Sequence, residues 1–248
     1  MPDQQQVGQT FITDLIFIAF LERLNCNETT ISLEQLHTRG FTPHPQLTRD
    51  CVCHLIRNGR VGGTIVERVG RSKRNKRDLK LSISKEMGDI DRFIALRYVR
   101  LYQSKDDNAV KDQLEELDQV LKQYECIEYC RYYLDKEGLT LKENQCEHHK
   151  LSLLTKELEQ EQVFMVGWRA VKNAALSAST RKRRSVTLSE ICNLSYKYFL
   201  DYRKRNIQID HYRAPYHLLN SSLRNTLVIY TRSGEKLEQE KKAILNGN

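Results

Sequence analysis

The stretch Leu55–Ser84, LIRNGRVGGTIVERVGRSKRNKRDLKLSIS, changes its hydrophobic period partway along. That change decides how the first third of the chain folds. Up to Ile56 the apolar spacing is helical: Leu47, Cys51, Val52, Leu55 and Ile56 fall on one face at i, i+4, i+8 intervals. Gly59 then supplies a helix stop. Beyond it, Val61, Thr64-Ile-Val66 and Leu79-Lys-Leu-Ser-Ile83 alternate as strands do. Between the two alternating runs lies Arg71-Ser-Lys-Arg-Asn-Lys-Arg77, five cations in seven residues. The spacing predicts a helix, a stop and a β-hairpin with a basic tip.

Upstream, Thr10–Cys26 carries apolar residues on most faces, as a buried first helix would. Ser32-Leu-Glu-Gln35 is a capping box opening a short second helix that turns inward Leu33 and Leu36 and ends at Gly40. Pro43 and Pro45 suit the entrance of the third helix, where a missing N–H costs nothing. The face of that helix left over by the apolar stripe carries Gln46, Arg49, Cys53 and Arg57.

Helix, short helix, turn, helix and hairpin, with the L-I-R-N-G-R-V junction between third helix and hairpin, resemble a winged helix-turn-helix over residues 10–84. No residue-level signature narrows this to one family within the superfamily. The resemblance implies a third helix entering the major groove, with Gln46, Arg49 and Arg57 toward base edges and phosphates. It also implies a wing bringing Arg71, Lys73, Arg74, Lys76 and Arg77 to the flanking backbone. Winged helices also dock proteins, and a charge run is often only a solvated face.

Downstream, Asp89–Gln103 reads as a connecting helix and Asp107 to Gly138 as a long one. In the latter, Val110, Leu114, Leu117, Leu121 and Tyr124 make a short 4-3-4-3 seam suited to a bundle or a dimer arm. Thr140-Leu-Lys-Glu143 is a second capping box, opening a helix that runs with one interruption to Ser179. Its second half is rich in small residues fit for close packing. Arg181, Lys182, Arg183 and Arg184 form an exposed basic linker and a further candidate phosphate contact. Thr187-Leu-Ser-Glu190 caps another helix. An alternating stretch Ile207–Ile209, a Pro215-initiated helix and a strand Thr226–Tyr230 then make a degenerate second winged helix. The expected domains are a winged helix over 1–88, a helical dimerisation region over 89–180 and a basic α+β domain over 181–248. The fold class is mainly α, with α+β character in the winged-helix part.

Charge segregates along the 248 residues. Lys+Arg against Asp+Glu counts 3 to 6 in residues 1–53, 13 to 5 in 54–104, 8 to 15 in 105–162 and 13 to 3 in 163–232. Two basic blocks flanking an acidic one are the electrostatic footprint of nucleic-acid binding, with the acidic helices left for association. The longest apolar run, Leu15–Leu21, is too short to span a bilayer and follows no basic segment, so neither a membrane span nor a signal peptide is expected. Seven scattered cysteines read as free thiols of a cytoplasmic protein.

No phosphate-binding loop, nucleophile elbow or H-E-x-x-H helix occurs in the sequence. Cys126, Cys130, Cys146, His148 and His149 lack the close C-x2-C knuckle of a zinc site, and packing explains them better. His211-Tyr-Arg213 and the aromatic stretch Tyr196–Tyr216 read as core rather than as a tyrosine nucleophile. The expectation is a non-catalytic protein, with no cofactor or metal, that binds double-stranded DNA as a homodimer or within a larger complex. A transcriptional regulator or a replication or partition initiator fits. So does an accessory winged-helix subunit beside an SMC-type ATPase in an anti-plasmid or anti-phage system.

Overall fold

A computed structural model describes residues 4–24, 28–68, 76–83, 108–143, 148–215, 218 and 220–231. The chain is mainly helical with small sheets. It divides into two compact units, one formed by residues 1–116 with 220–248 and the other by residues 117–219. Among the described residues no helix is long and apolar enough to cross a membrane.

The first unit runs α1 (Gln4–Leu21), β1 (Thr30–Ser32), α2 (Leu33–Thr38), α3 (Pro45–Arg57), β2 (Gly62–Arg68) and β3 (Lys76–Ser82). The strands form an antiparallel sheet in the order β1-β3-β2. Strand β1, which the alternation rules do not flag, pairs Ile31 with Leu81. Helix α1 is buried on every side from Leu15 to Leu21, because it forms the centre of the unit. The capping box forms as read: Ser32 Oγ accepts from Gln35 N at 3.1 Å, and Ser32 N donates to Gln35 Oε1 at 3.0 Å.

The unit closes with a helix the sequence pattern disguises. Residues 222–231 are helical, not the strand expected over Thr226–Tyr230. Leu223, Thr226, Leu227 and Tyr230 are buried at helical spacing, while Ile229 is exposed. The β-branched run imitates a strand, yet burying one face at i, i+4, i+7 favours the helix. This helix starts at 222, where Ser221 Oγ accepts from Arg224 N; of the separate Pro215-initiated helix expected before it, Leu218 is helical and its N–H donates to Pro215 O at 3.0 Å, and residues 216, 217 and 219 lie outside the described residues. Ser222 N and Leu223 N donate to the carbonyls of Gly40 and Phe41, and Ser222 Oγ donates to Ala19 O at 2.8 Å.

The second unit begins within α4 (Asn108–Lys136), which matches the long helix expected. Then come β4 (Thr140–Lys142), α5 (His148–Glu157), α6 (Gln160–Thr180), β5 (Ser185–Thr187) and α7 (Leu188–Lys204). The sequence Thr140–Glu143 opens no helix. It forms β4, parallel to β5, with Leu141 opposite Val186. Glu143, the would-be capping carboxylate, is held by Arg131, and Thr140 N donates to Arg184 O. Residues 207–209 form no strand. Among the described residues, 181–248 supplies one three-residue strand and no hairpin, and 232–248 lie outside them. The boundaries at 88 and 180 also fail as compact divisions. Residues 181–219 share a core with α4 and α6, and residues 220–231 belong with the first unit. The expected helix over 89–103 lies outside the described residues.

That core is dense with aromatic and small side chains. Tyr129 stacks on Phe164 at 4.7 Å between ring centroids, and Trp168 stacks on Tyr212 at 5.5 Å. Tyr196, Tyr198, Phe199 and Tyr202 pack into the same cluster.

Candidate nucleic-acid interface

Helix α3 begins at Pro45, whose fixed φ suits a first helical position and holds the preceding residue extended. That residue, His44, is buried and acts as N-cap: its Nδ1 accepts from Gln46 N at 3.0 Å. Leu47, Cys51, Val52 and Leu55 are buried, and Ile56 is half-buried. Gln46, Arg49 and Arg57 are exposed on the opposite face, and Cys53, on that same face, is half-buried. The face is not uniformly cationic, because exposed Asp50 accepts from Gln46 Nε2 at 2.9 Å.

His54 belongs to the frame, not to the exposed face. Its Nε2 lies 2.8 Å from Thr13 Oγ1 on α1. Burial, with the Arg57 charge second, holds its pKa below the ordinary histidine value. The ring is therefore a neutral tie between α1 and α3. Burial pushes the Cys51 thiol up to about 12, which makes it an inert packing group.

The hairpin is seated against α3 through Gly63. A Cβ at that position would lie 2.7 Å from Ile56 Cδ1, so a larger residue there would turn the end of the Ile56 side chain aside. Lys80 is exposed on the solvent side of β3, a cation that the alternation Leu79-Lys80-Leu81 implies but that the sequence reading does not single out. At the far end of the ladder, Glu67 pairs with Arg77 and Arg68 with Lys76. Arg71, Lys73 and Arg74 lie outside the described residues.

In the second unit, Arg181–Arg184 is a tight turn between α6 and β5, not a linker. Arg181, Lys182 and Arg184 are exposed. Arg183 is committed within the fold: its two terminal nitrogens each lie 3.0 Å from a Glu190 carboxylate oxygen. The Thr187 cap forms through Glu190 N, while the Glu190 side chain serves Arg183 in place of the cap's return bond.

Cys126 and Cys130 are buried one turn apart on α4, each close to Gly167 of α6. The Cys130 thiol is raised by its hydrogen bond with Cys126 and by burial, so Cys130 is a packing group. Cys146 and the side chain of His148 lie outside the described residues. Glu159, Glu161 and His211 bring three potential ligand atoms together on the surface. All three are exposed, and the two carboxylates sit at the start of α6, where negative charge already complements the helix dipole. No family model matches the chain, and no curated protein or solved structure does so either.

Proposed function

We propose that the chain is a non-catalytic protein that binds double-stranded DNA, using the first unit as a winged helix with α3 as the groove-entering element. One observation carries this reading. The apolar stripe of α3 is spent in the core, with Ile56 half-buried beside the hairpin, leaving Gln46, Arg49 and Arg57 outward on the helix to which the hairpin is seated. Arg and Gln are the side chains whose paired donors and acceptors match guanine and adenine edges. The hairpin strands, with Arg77 and Lys76 at their paired ends, lead into the basic segment that supplies backbone contacts.

The test is fluorescence anisotropy with short duplexes, titrated between about 50 and 200 mM KCl. Replacing Arg71, Lys73, Arg74, Lys76 and Arg77 with Ala lowers affinity for all duplexes alike. It also flattens the log–log salt slope by up to about 4.5, at roughly 0.9 for each phosphate no longer neutralised. Arg49→Ala relaxes sequence preference, weakening binding to the preferred duplex by about 1–3 kcal/mol. Wild-type affinity and slope in the five-residue variant would refute binding through the hairpin.

A further inference from the structure

Five helices of this chain end in the same hydrogen-bonded motif. At the ends of α2, α3, α4, α6 and α7, the residue two past the last helical one adopts a left-handed conformation. These residues are Gly40, Gly59, Gly138, Lys182 and Asn206, with φ of 76°, 66°, 70°, 52° and 52°. In each case the next residue donates its N–H back to the helix: Phe41 to Leu36, Arg60 to Leu55, Leu139 to Leu134, Arg183 to Ala178 and Ile207 to Tyr202. Glycine and asparagine are the residues that tolerate this backbone, and lysine is not. Four of the five positions obey the rule, so Lys182 is the exception.

No side-chain hydrogen bond or ion pair among the described residues compensates for it. Lys182 is exposed and makes no ion pair among the described residues. It stands between Arg181 and Arg184, also exposed and without an ion pair there, so three like charges are crowded on one turn. The turn is rigid: its N–H groups bond back to Ser177, Ser179 and Ala178, and Arg184 O accepts from Thr140 N. The helix dipole rewards cations near a C-terminus, yet α3 and α7 place theirs inside the last turn and keep Gly or Asn at the left-handed position. The segment is cationic along the chain, with no Asp or Glu between Gln162 and Ser189, and the Glu190 that follows is committed to Arg183. On α6, Arg169, lying over the Tyr202 ring, and Asn173 share one exposed face with Leu176 and Thr180, and the Thr180 hydroxyl donates to Leu176 O.

We infer that the α6–β5 turn is a second nucleic-acid contact, in which Arg181, Lys182 and Arg184 grip the phosphodiester backbone. The left-handed lysine is strain retained for binding. Arg169 and Asn173 add donors of the types that bind phosphate and sugar oxygens. Arg183 takes no part, being paired to Glu190. The inference does not rest on the α3 reading.

The decisive variant is Lys182→Gly in the full chain, because it moves stability and binding in opposite directions. It raises the thermal midpoint by relieving the backbone, and it weakens binding to a short duplex of arbitrary sequence, lowering the salt slope by about 0.9. The triple variant Arg181→Gln, Lys182→Gln, Arg184→Gln lowers the slope by roughly 2.7. A triple variant that binds with wild-type affinity and slope overturns the inference. So does a Lys182→Gly protein that is more stable yet binds unchanged. Polyglutamate bound as tightly as duplex, and released by the same triple variant, would assign the turn to an acidic protein instead. The hairpin variant, run in parallel, separates the two sites: weakening there alone leaves only the α3 reading standing, and weakening in the turn variants alone leaves only this one.

Discussion

Gly167 lies in the interior of α6, where helix propensity alone favours alanine by about 1 kcal/mol. The packing points the other way. A Cβ on Gly167 would sit 3.3 Å from Cys130 Sγ and 3.5 Å from Cys126 Sγ, and both thiols are buried. They cannot swing into solvent, and the neighbouring Tyr129–Phe164 stack resists separation of α4 from α6. Overpacking of this kind costs about 1–3 kcal/mol. Set against the propensity gain, Gly167→Ala loses about 1 kcal/mol net. Cys130→Ala opens the space that the new methyl needs, so the double variant recovers stability with a coupling of about 1–2 kcal/mol. Urea unfolding followed by tryptophan fluorescence reads this directly, because the single tryptophan, Trp168, is next to Gly167 and stacked on Tyr212 within the same unit. A Gly167→Ala protein at least as stable as wild type would refute the close-packing argument. So would effects of the two substitutions that simply add.

His44→Ala lowers unfolding stability by about 2 kcal/mol, half from the missing α3 cap and half from the buried ring, whereas His44→Asn restores the cap share; equal losses in urea unfolding of the two variants would count against the cap. His54 titrates below its ordinary value of 6.5, so the unfolded chain takes up the proton first as pH falls. The stability that His54 contributes is complete above pH 6.5 and is lost as pH drops from there toward the folded value; His54→Gln removes that part of the slope, and a thermal midpoint profile between about pH 7 and 5 that is identical in the two proteins would contradict it. Arg183→Gln lowers the unfolding midpoint through the loss of its pair with Glu190, while Arg181→Gln leaves it near wild type; matching unfolding midpoints would place Arg183 with its exposed neighbours.

What is legible in the chain follows the range of the interactions. The second and third helices and the hairpin are specified within a few residues of themselves. Ser32 and Gln35 cap each other, Pro45 opens α3, Gly59 ends it, and alternation begins at once. The candidate site on α3 is legible for the same reason: the stripe that must be buried names the face that is not. Arg183 reads as one more cationic contact because its partner, Glu190, lies on the next helix, across an intervening strand. Lys182 reads only as charge, since its meaning depends on a backbone angle and on four other helix ends in the chain.

The sequence by itself determined the periods and stops of the second and third helices and the hairpin and the Ser32–Gln35 cap, together with the charge blocks along the whole chain. Local geometry decides these, and each needs no more than one turn of helix or one strand pair. Only tertiary structure decided that Thr140–Lys142 is a strand and that residues 222–231 are a helix belonging to the first unit. In the first case a capping box was available, but its carboxylate is taken by Arg131 and its N–H by Arg184 O, far along the chain. In the second, a strand-like run folds as helix because its buried face meets α1 and the Gly40–Phe41 carbonyls. Where local preference and distant partners disagree, the partners prevail. A buried face and satisfied backbone groups are worth more than the few tenths to one kcal/mol of intrinsic propensity, about what a single residue commands.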